Sequence, residues 1–201
     1  MLARCKQAFE AAGLPLVLRL TPFTQPADLD QHLAELGWAF FDETRVMLRP
    51  DLAGLPSSSL PAGCQLQPVS HAEYAQAVGQ LRGSSTTEIS AHAERMRCAP
   101  VRYEGALLKR DDGILLACGQ FVREDSLVGL YDILTVPEHR GQGLGQALCA
   151  RLLSMAREQG ASSAYLQVSA DNLAARSLYA KLGFVDGYGY HYRTPDLASV
   201  Y

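Results

Sequence analysis

The stretch Val136-Pro137-Glu138-His139-Arg140-Gly141-Gln142-Gly143-Leu144-Gly145 constrains this chain more than any other. A strand-like apolar run leads into it, and glycine at every second position from 141 to 145 breaks that run. Immediately afterwards Leu144, Leu148, Leu152 and Met155 recur at helical spacing, with Ala147 and Ala156 beside them, until Gly160 stops the helix. A helix entered straight from a glycine turn leaves several backbone N–H groups without intrahelical partners. Those donors, at the positive end of the helix dipole, form a site for a phosphate or pyrophosphate. A Cβ on the glycines would hold such a ligand off the backbone, and Arg140 adds a permanent charge. A Walker loop would need Gly-Lys-Ser/Thr, which is absent, and a dinucleotide fingerprint would need its third glycine where this chain has Gln146. On these residues alone, a tight turn that merely needs glycines stays open.

The surrounding pattern predicts an α/β chain built on a mixed sheet. Cys64–Val69 reads as a strand, followed by helices over about His71–Leu81 and Thr87–Arg97, the second opened by capping Ser and Thr residues. Three strand-like runs follow, Val101–Lys109, Ile114–Val122 and Leu127–Val136, with turn signals at Asp111-Asp112-Gly113 and Glu124-Asp125-Ser126. Their short connections predict an antiparallel meander. After the long helix come a strand at Tyr165–Val168, a helix over Asn172–Leu182 closed by Gly183, and one or two strands between Phe184 and Tyr192.

The Pro-, Gly- and Ser-dense segment from 53 to 62 reads as a linker. It separates residues 1–52 from a main domain over 63–201. The first segment resembles the end of the second: both run helix, glycine, strand, helix, Leu-Gly-aromatic, strand. Gly13 answers Gly160, Leu36-Gly37-Trp38 answers Leu182-Gly183-Phe184, and Arg49-Pro50-Asp51-Leu52 answers Arg193-Thr194-Pro195-Asp196-Leu197. Two unrelated helix–strand units with common turn residues are the plainer alternative.

Composition narrows the function classes. A formal net charge of −3 argues against a nucleic-acid partner. No apolar run approaches the roughly 20 residues that span a bilayer, so no membrane association is expected. The first residues carry charge where a secretory signal would be apolar. Five scattered cysteines suit free thiols in a reducing cytoplasm, and the five histidines show no metal-ligand spacing.

A second motif follows the glycine loop: Asn172-Leu173-Ala174-Ala175-Arg176-Ser177-Leu178-Tyr179-Ala180-Lys181-Leu182-Gly183-Phe184. Arg140 to Gly145 resembles the Arg/Gln-x-x-Gly-x-Gly/Ala motif of the GNAT acetyltransferases, and the second stretch resembles that family's Asn…Ala…Leu-Tyr…Gly-Phe signature. Order and spacing also agree, over about 63 to 195. The resemblance implies acetyl-coenzyme A as cosubstrate and no metal. It implies that backbone amides of Gly141, Gln142, Gly143, Leu144 and Gly145 hold the pyrophosphate beside Arg140. The strand ending at Val136 would splay from the one at Tyr165–Val168, with the pantetheine arm bonded near Leu134, Thr135 and Val136. Asn172 matches the residue that contacts this arm and Tyr179 the general acid. The spacing of Asn172 and Tyr179, seven residues or about two helical turns, puts both on one helix face. Arg176 and Lys181 are candidates for the cofactor's outer phosphate, though solvated helix charges explain them equally well.

The reaction implied is direct attack of an amine on the thioester, with a base or water chain removing a proton. Asp132, on the strand feeding the loop, and Glu88, in the helical region that covers the acceptor site in this family, are the candidate bases. A bulge would decide which face Asp132 takes. Tyr188-Gly189-Tyr190-His191-Tyr192 either lines an acceptor pocket or packs across strands. The acceptor is a small-molecule or peptide amine; the segments 80–97 and 187–193 hold no patch of one charge sign, and mild overall acidity does not favour a strongly acidic acceptor. A non-catalytic acyl-CoA sensor and an interaction protein with a vestigial loop remain the competing readings. The N-terminal segment carries Leu33 where the main domain has Tyr179, so it reads as a degenerate half-GNAT unit. Its open sheet edge calls for a partner, either the main domain or, in a homodimer, another copy.

Overall fold

The computed structural model describes residues 2–55 and 59–200, so Pro56, Ser57 and Ser58 of the expected linker lie outside the described residues. The elements in chain order are α1 (Leu2–Ala11), β1 (Leu18–Leu20), α2 (Leu29–Glu35), β2 (Ala39–Arg49), β3 (Cys64–Val69), α3 (His71–Arg82), α4 (Thr86–Cys98), β4 (Tyr103–Arg110), β5 (Leu115–Glu124), β6 (Leu127–Thr135), α5 (Leu144–Glu158), β7 (Ser163–Ser169), α6 (Leu173–Lys181) and β8 (Val185–Thr194). Every expected helix and strand is present, and the stretch after Phe184 forms one strand.

Two compact units result. The larger comprises Met47–Gln167 and Ala174–Val185. Its strands run in the order β7-β6-β5-β4-β3. The meander β3 to β6 is antiparallel, and α5 carries the chain over to β7, which lies parallel to β6. Helices cover both faces because strand side chains alternate. Cys118 of β5 packs with Tyr74, Ala75 and Val78 of α3 and Met96 of α4. A Cβ on neighbouring Gly119 would meet Leu148 and Leu152 of α5 on the other face. Helices α3 and α4 each start in a capping box, Ser70 with Glu73 and Ser85 with Glu88. They pack so closely that a Cβ on Gly79 would fall 2.2 Å from Ile89.

The smaller unit combines the chain up to Val46 with Val168–Leu173 and with Asp186 onward. Here β8 lies between β1 and β2, and β1 pairs antiparallel with it from Leu18↔Arg193 to Leu20↔His191. The N-terminal strands therefore find their partner within the same chain. Leu33 of α2 is wholly buried, whereas α1 buries no residue. The 188–192 segment packs here across strands, with Phe40 stacked on His191 at 4.4 Å and Phe41 on Tyr192 at 5.6 Å, while Tyr190 and Tyr192 meet edge to face along β8. Among the described residues no helix is long and apolar enough to cross a membrane.

Candidate active site

The larger unit holds all but one of the expected site residues. Its chemistry begins at a fault in the sheet. Strands β5 and β6 pair through Cys118↔Leu134 and resume at Gln120↔Tyr131, leaving one extra residue on β6. Asp132 sits in this bulge with φ 48°, a left-handed value uncommon for a residue with a side chain. The insertion brings the sequence neighbours Tyr131 and Asp132 to the same cavity, which strict alternation would have prevented.

The Asp132 carboxylate is held from three sides. Arg82 Nη2 donates to Oδ1 at 2.6 Å, Gln120 Nε2 donates to Oδ2 at 2.8 Å, and His92 Nε2 lies 3.4 Å from Oδ2. The Tyr74 hydroxyl donates to the Asp132 carbonyl at 3.0 Å. Burial pulls the His92 pKa below its usual value, against the opposing pull of Asp132, so the ring is neutral at pH 7. These groups open on a cavity of about 280 Å³ walled by Tyr103, Tyr131 and Met96, with Arg95 at its rim. Glu88 faces a neighbouring cavity of about 290 Å³. Its carboxylate accepts the Ser85 N–H at 2.7 Å and the Ser85 hydroxyl at 2.8 Å, and these bonds hold it below the usual carboxylate range.

The glycine loop stands at the C-terminal end of β6. Gly141 and Gly143 have φ of 76° and 77°, and a Cβ on either would meet nothing within 4 Å. Backbone conformation, with open space in front of it, is what selects glycine at these two positions. The Ala147 N–H is the one that closes on the Gly143 carbonyl, at 3.0 Å. The N–H groups of Gly143, Leu144, Gly145 and Gln146 precede the first intrahelical bond and are left for an outside acceptor. Arg140 Nε donates to the Thr135 carbonyl at 3.3 Å, which keeps its charge beside the loop. Gly145 is a glycine for another reason: a Cβ there would lie 3.1 Å from Leu178 Cδ1 and 3.3 Å from Thr135 Oγ1.

Registered pairing of β6 with β7 ends at Leu130↔Leu166, while β6 continues to Thr135. The backbone of Leu134 and Thr135 therefore lies beyond the last paired rung on that side. On the other side Leu134 pairs with Cys118, and the Val136 N–H bonds the Leu116 carbonyl at 2.9 Å. Tyr179 of α6 is buried, its ring edge-on to Phe184 at 6.0 Å, and burial above all raises its pKa well above that of a free phenol. Arg176 lies one turn earlier on α6. Asn172 belongs to the smaller unit, on the turn before α6, where its N–H bonds the Ser169 carbonyl at 3.1 Å.

Sequence reasoning missed His92, Gln120 and Arg82. His92 left a trace, since Glu88, His92 and Arg95 recur at positions i, i+4 and i+7 and share a face of α4. Gln120 left none, because only the fold turns it toward a carboxylate twelve residues away.

Comparison with known proteins agrees with this architecture. The chain is 41% identical over 83 residues to the uncharacterized N-acetyltransferase YobR of Bacillus subtilis, covering 41% of this chain and 34% of that one. It is 33% identical over 168 residues to the mycothiol acetyltransferase of Streptomyces coelicolor, covering 77% of this chain and 54% of the relative. The chain thus spans about a third of the first relative and about half of the second. A GCN5-related N-acetyltransferase from Kribbella flavida superposes with a TM-score of 0.72 at 24% identity, over 98% of this chain and 76% of its own. The model of the acetyltransferase (GNAT) family matches residues 76–184, which hold the bulged strand, the glycine loop and Tyr179, and the chain belongs to that family.

Proposed function

We propose that the protein transfers the acetyl group of acetyl-CoA directly to a primary amine, with no acyl-enzyme. One observation carries this reading: Gly145 of the loop packs at once against Thr135, at the end of β6 beyond its pairing with β7, and against Leu178, the helix neighbour of Tyr179. The glycine turn, the end of β6 and the helix that carries Tyr179 are thus packed side by side, which supports this reading. The loop amides and Arg140 would hold the pyrophosphate, the backbone at Leu134 to Val136 the pantetheine arm, and Arg176 an outer phosphate. The open space in front of Gly141 and Gly143 fits this cosubstrate.

Acetyl-CoA supplies the activated acyl group. The amine loses one proton and the departing sulfur gains one. His92, neutral and backed by Asp132, takes the first; Tyr179 gives the second. Glu88, whose oxygens are engaged at the start of α4, is the lesser candidate base.

Calorimetric titration with acetyl-CoA tests the cosubstrate site. Gly143→Asn, which tolerates the left-handed backbone, should bind nearly as the wild type does. Gly143→Glu should bind at least about tenfold more weakly, because it sets a carboxylate at the helix N-terminus where the phosphates belong. Equal affinity in both variants would remove the pyrophosphate from this loop, and no binding to folded wild type would leave an interaction protein. A second prediction concerns pH. The rate should fall as pH drops through the depressed pKa of His92, since only the neutral ring accepts a proton, and His92→Gln should lose that limb of the kcat/KM profile. The same limb persisting in the variant would take the base role away from His92.

The N-terminal segment 1–52 we read as half of a degenerate GNAT unit, joined by the linker 53–62 to the catalytic domain 63–201. Local geometry supports the kinship. Gly37 and Gly183 both take left-handed φ, 77° and 81°. The Trp38 N–H closes on the Leu33 carbonyl and the Phe184 N–H on the Tyr179 carbonyl, each at 3.0 Å. Leu33 at the Tyr179 position brings no hydroxyl, so the segment has no proton donor of its own there.

A further inference from the structure

We propose that the acceptor is a small amino acid-like molecule, an amine that also carries a carboxylate, with Gln120 taking its N–H and Arg95 its carboxylate. This rests on the acetyl-transfer reading above and names the acceptor class of that same site.

Gln120 is 1% exposed, and its Oε1 is buried without a hydrogen-bond partner. Its amide orientation is fixed by chemistry: Nε2 must face the Asp132 carboxylate, because a flipped amide would set two acceptors against each other. Oε1 is thereby left without a donor, buried on a residue that lines the cavity Asp132, His92 and Arg95 share. A buried acceptor with no donor is destabilising, and an N–H from a ligand relieves that cost. A primary amine brings such a donor to within one residue of the Asp132–His92 pair.

Charge then selects among amines. The cavity holds two guanidiniums and one carboxylate. Asp132 and Arg82 neutralise each other at 2.6 Å, and His92 is neutral at pH 7. Arg95 makes no ion pair or hydrogen bond among the described residues, which leaves one unbalanced positive charge at the rim. Of the two acids on α4, Glu88 is engaged by Ser85 and opens on the neighbouring cavity, and Glu94 is paired with Arg97. The chain's formal net charge of −3 points the other way, but charges beyond a Debye length of about 8 Å are largely screened, so the nearest guanidinium decides. Arg95 repels an acceptor with a second cation, such as a polyamine or a lysine-rich peptide, and attracts a carboxylate in the forked geometry arginine favours. Tyr103 and Tyr131, with ring centroids 6.0 Å apart, and Met96 give an apolar side chain its wall.

The test uses the full chain, with and without CoA, which occupies the donor site yet cannot react. L-leucine, L-methionine and L-phenylalanine are titrated calorimetrically, each beside its amide and the amine lacking the carboxylate, with spermidine as the cationic comparison. At least one free amino acid should bind tenfold or more tightly than both of its uncharged-end analogues and spermidine. Arg95→Ala should erase that preference, and Gln120→Leu should weaken the amino acid and its amide alike. Analogues or spermidine binding as well as the amino acids, no binding by any amino acid, or a preference that survives Arg95→Ala would overturn the proposal. Acetyl-transfer itself is read separately, from acetyl-CoA binding and from CoA release with the uncharged-end amines. A protein that acetylates those amines without favouring the amino acids keeps the reaction and loses this acceptor class.

Discussion

Tyr179→Phe should lower kcat by about 10²- to 10³-fold while leaving the affinity for acetyl-CoA within about twofold, as expected for loss of a positioned proton donor. The substitution removes one oxygen and keeps the ring that packs edge-on against Phe184, so a stability loss would not explain the result. The rate depends on where the proton on the departing sulfur comes from. A free thiolate has a pKa of roughly 8.5, and without a donor the sulfur departs as an anion inside a desolvated site. Burial raises the Tyr179 pKa, so the phenol is protonated across the neutral range and always has a proton to offer. The same burial makes a lasting tyrosinate costly, which favours a hydroxyl that donates as the carbon–sulfur bond breaks and is reprotonated before the next turnover. Steady-state rates set beside calorimetry separate the two effects. A kcat within about threefold of wild type would reduce Tyr179 to a core residue and send the proton to sulfur by another route.

How much of this was legible depended on whether the signal was local. Cys64–Val69 was readable residue for residue, because it lies between the Pro- and Gly-rich segment and the helical stretch from His71. The glycine loop was readable because three glycines between a strand and a helix admit few conformations. The Asp132 bulge was foreseen only as an ambiguity. Nothing in Tyr131-Asp132-Ile133 says that the chain will adopt φ 48° there; that depends on the register with β5. The Asp132 environment is equally non-local, since Arg82, His92 and Gln120 reach it from α3, α4 and β5. The partner of β8 was hidden for the same reason. Its aromatic residues fit any sheet, and only the folded chain pairs them with strands that lie near the opposite end of the sequence.

Deleting residues 1–52 should abolish cooperative folding or lower Tm by more than about 10 °C, whereas deleting residues 2–12 should shift it by only a few degrees. The contrast follows from burial. Helix α1 buries none of its residues, so the short deletion uncovers little apolar surface. The long one removes both neighbours of β8, leaving a ten-residue strand with two open edges. It also removes Leu20, Leu33 and Val46 from the smaller unit's core, each worth about 1.5–3 kcal/mol on full burial. Asp30 goes as well, and with it the partner of His191 at 2.9 Å and of Arg193. The larger unit is cut too: Leu52 is wholly buried, its N–H bonds the Ser162 carbonyl at 2.9 Å, and the Arg49 guanidinium donates to the Leu182 carbonyl just after α6. Differential scanning of both truncations against the full chain reads the result. If the long truncation melted as the full chain does and stayed monodisperse, the segment would be an appendage and β8 would be stable without β1 and β2. If it fails to fold while the short one holds, residues 1–52 serve a structural task, flanking β8 on both edges.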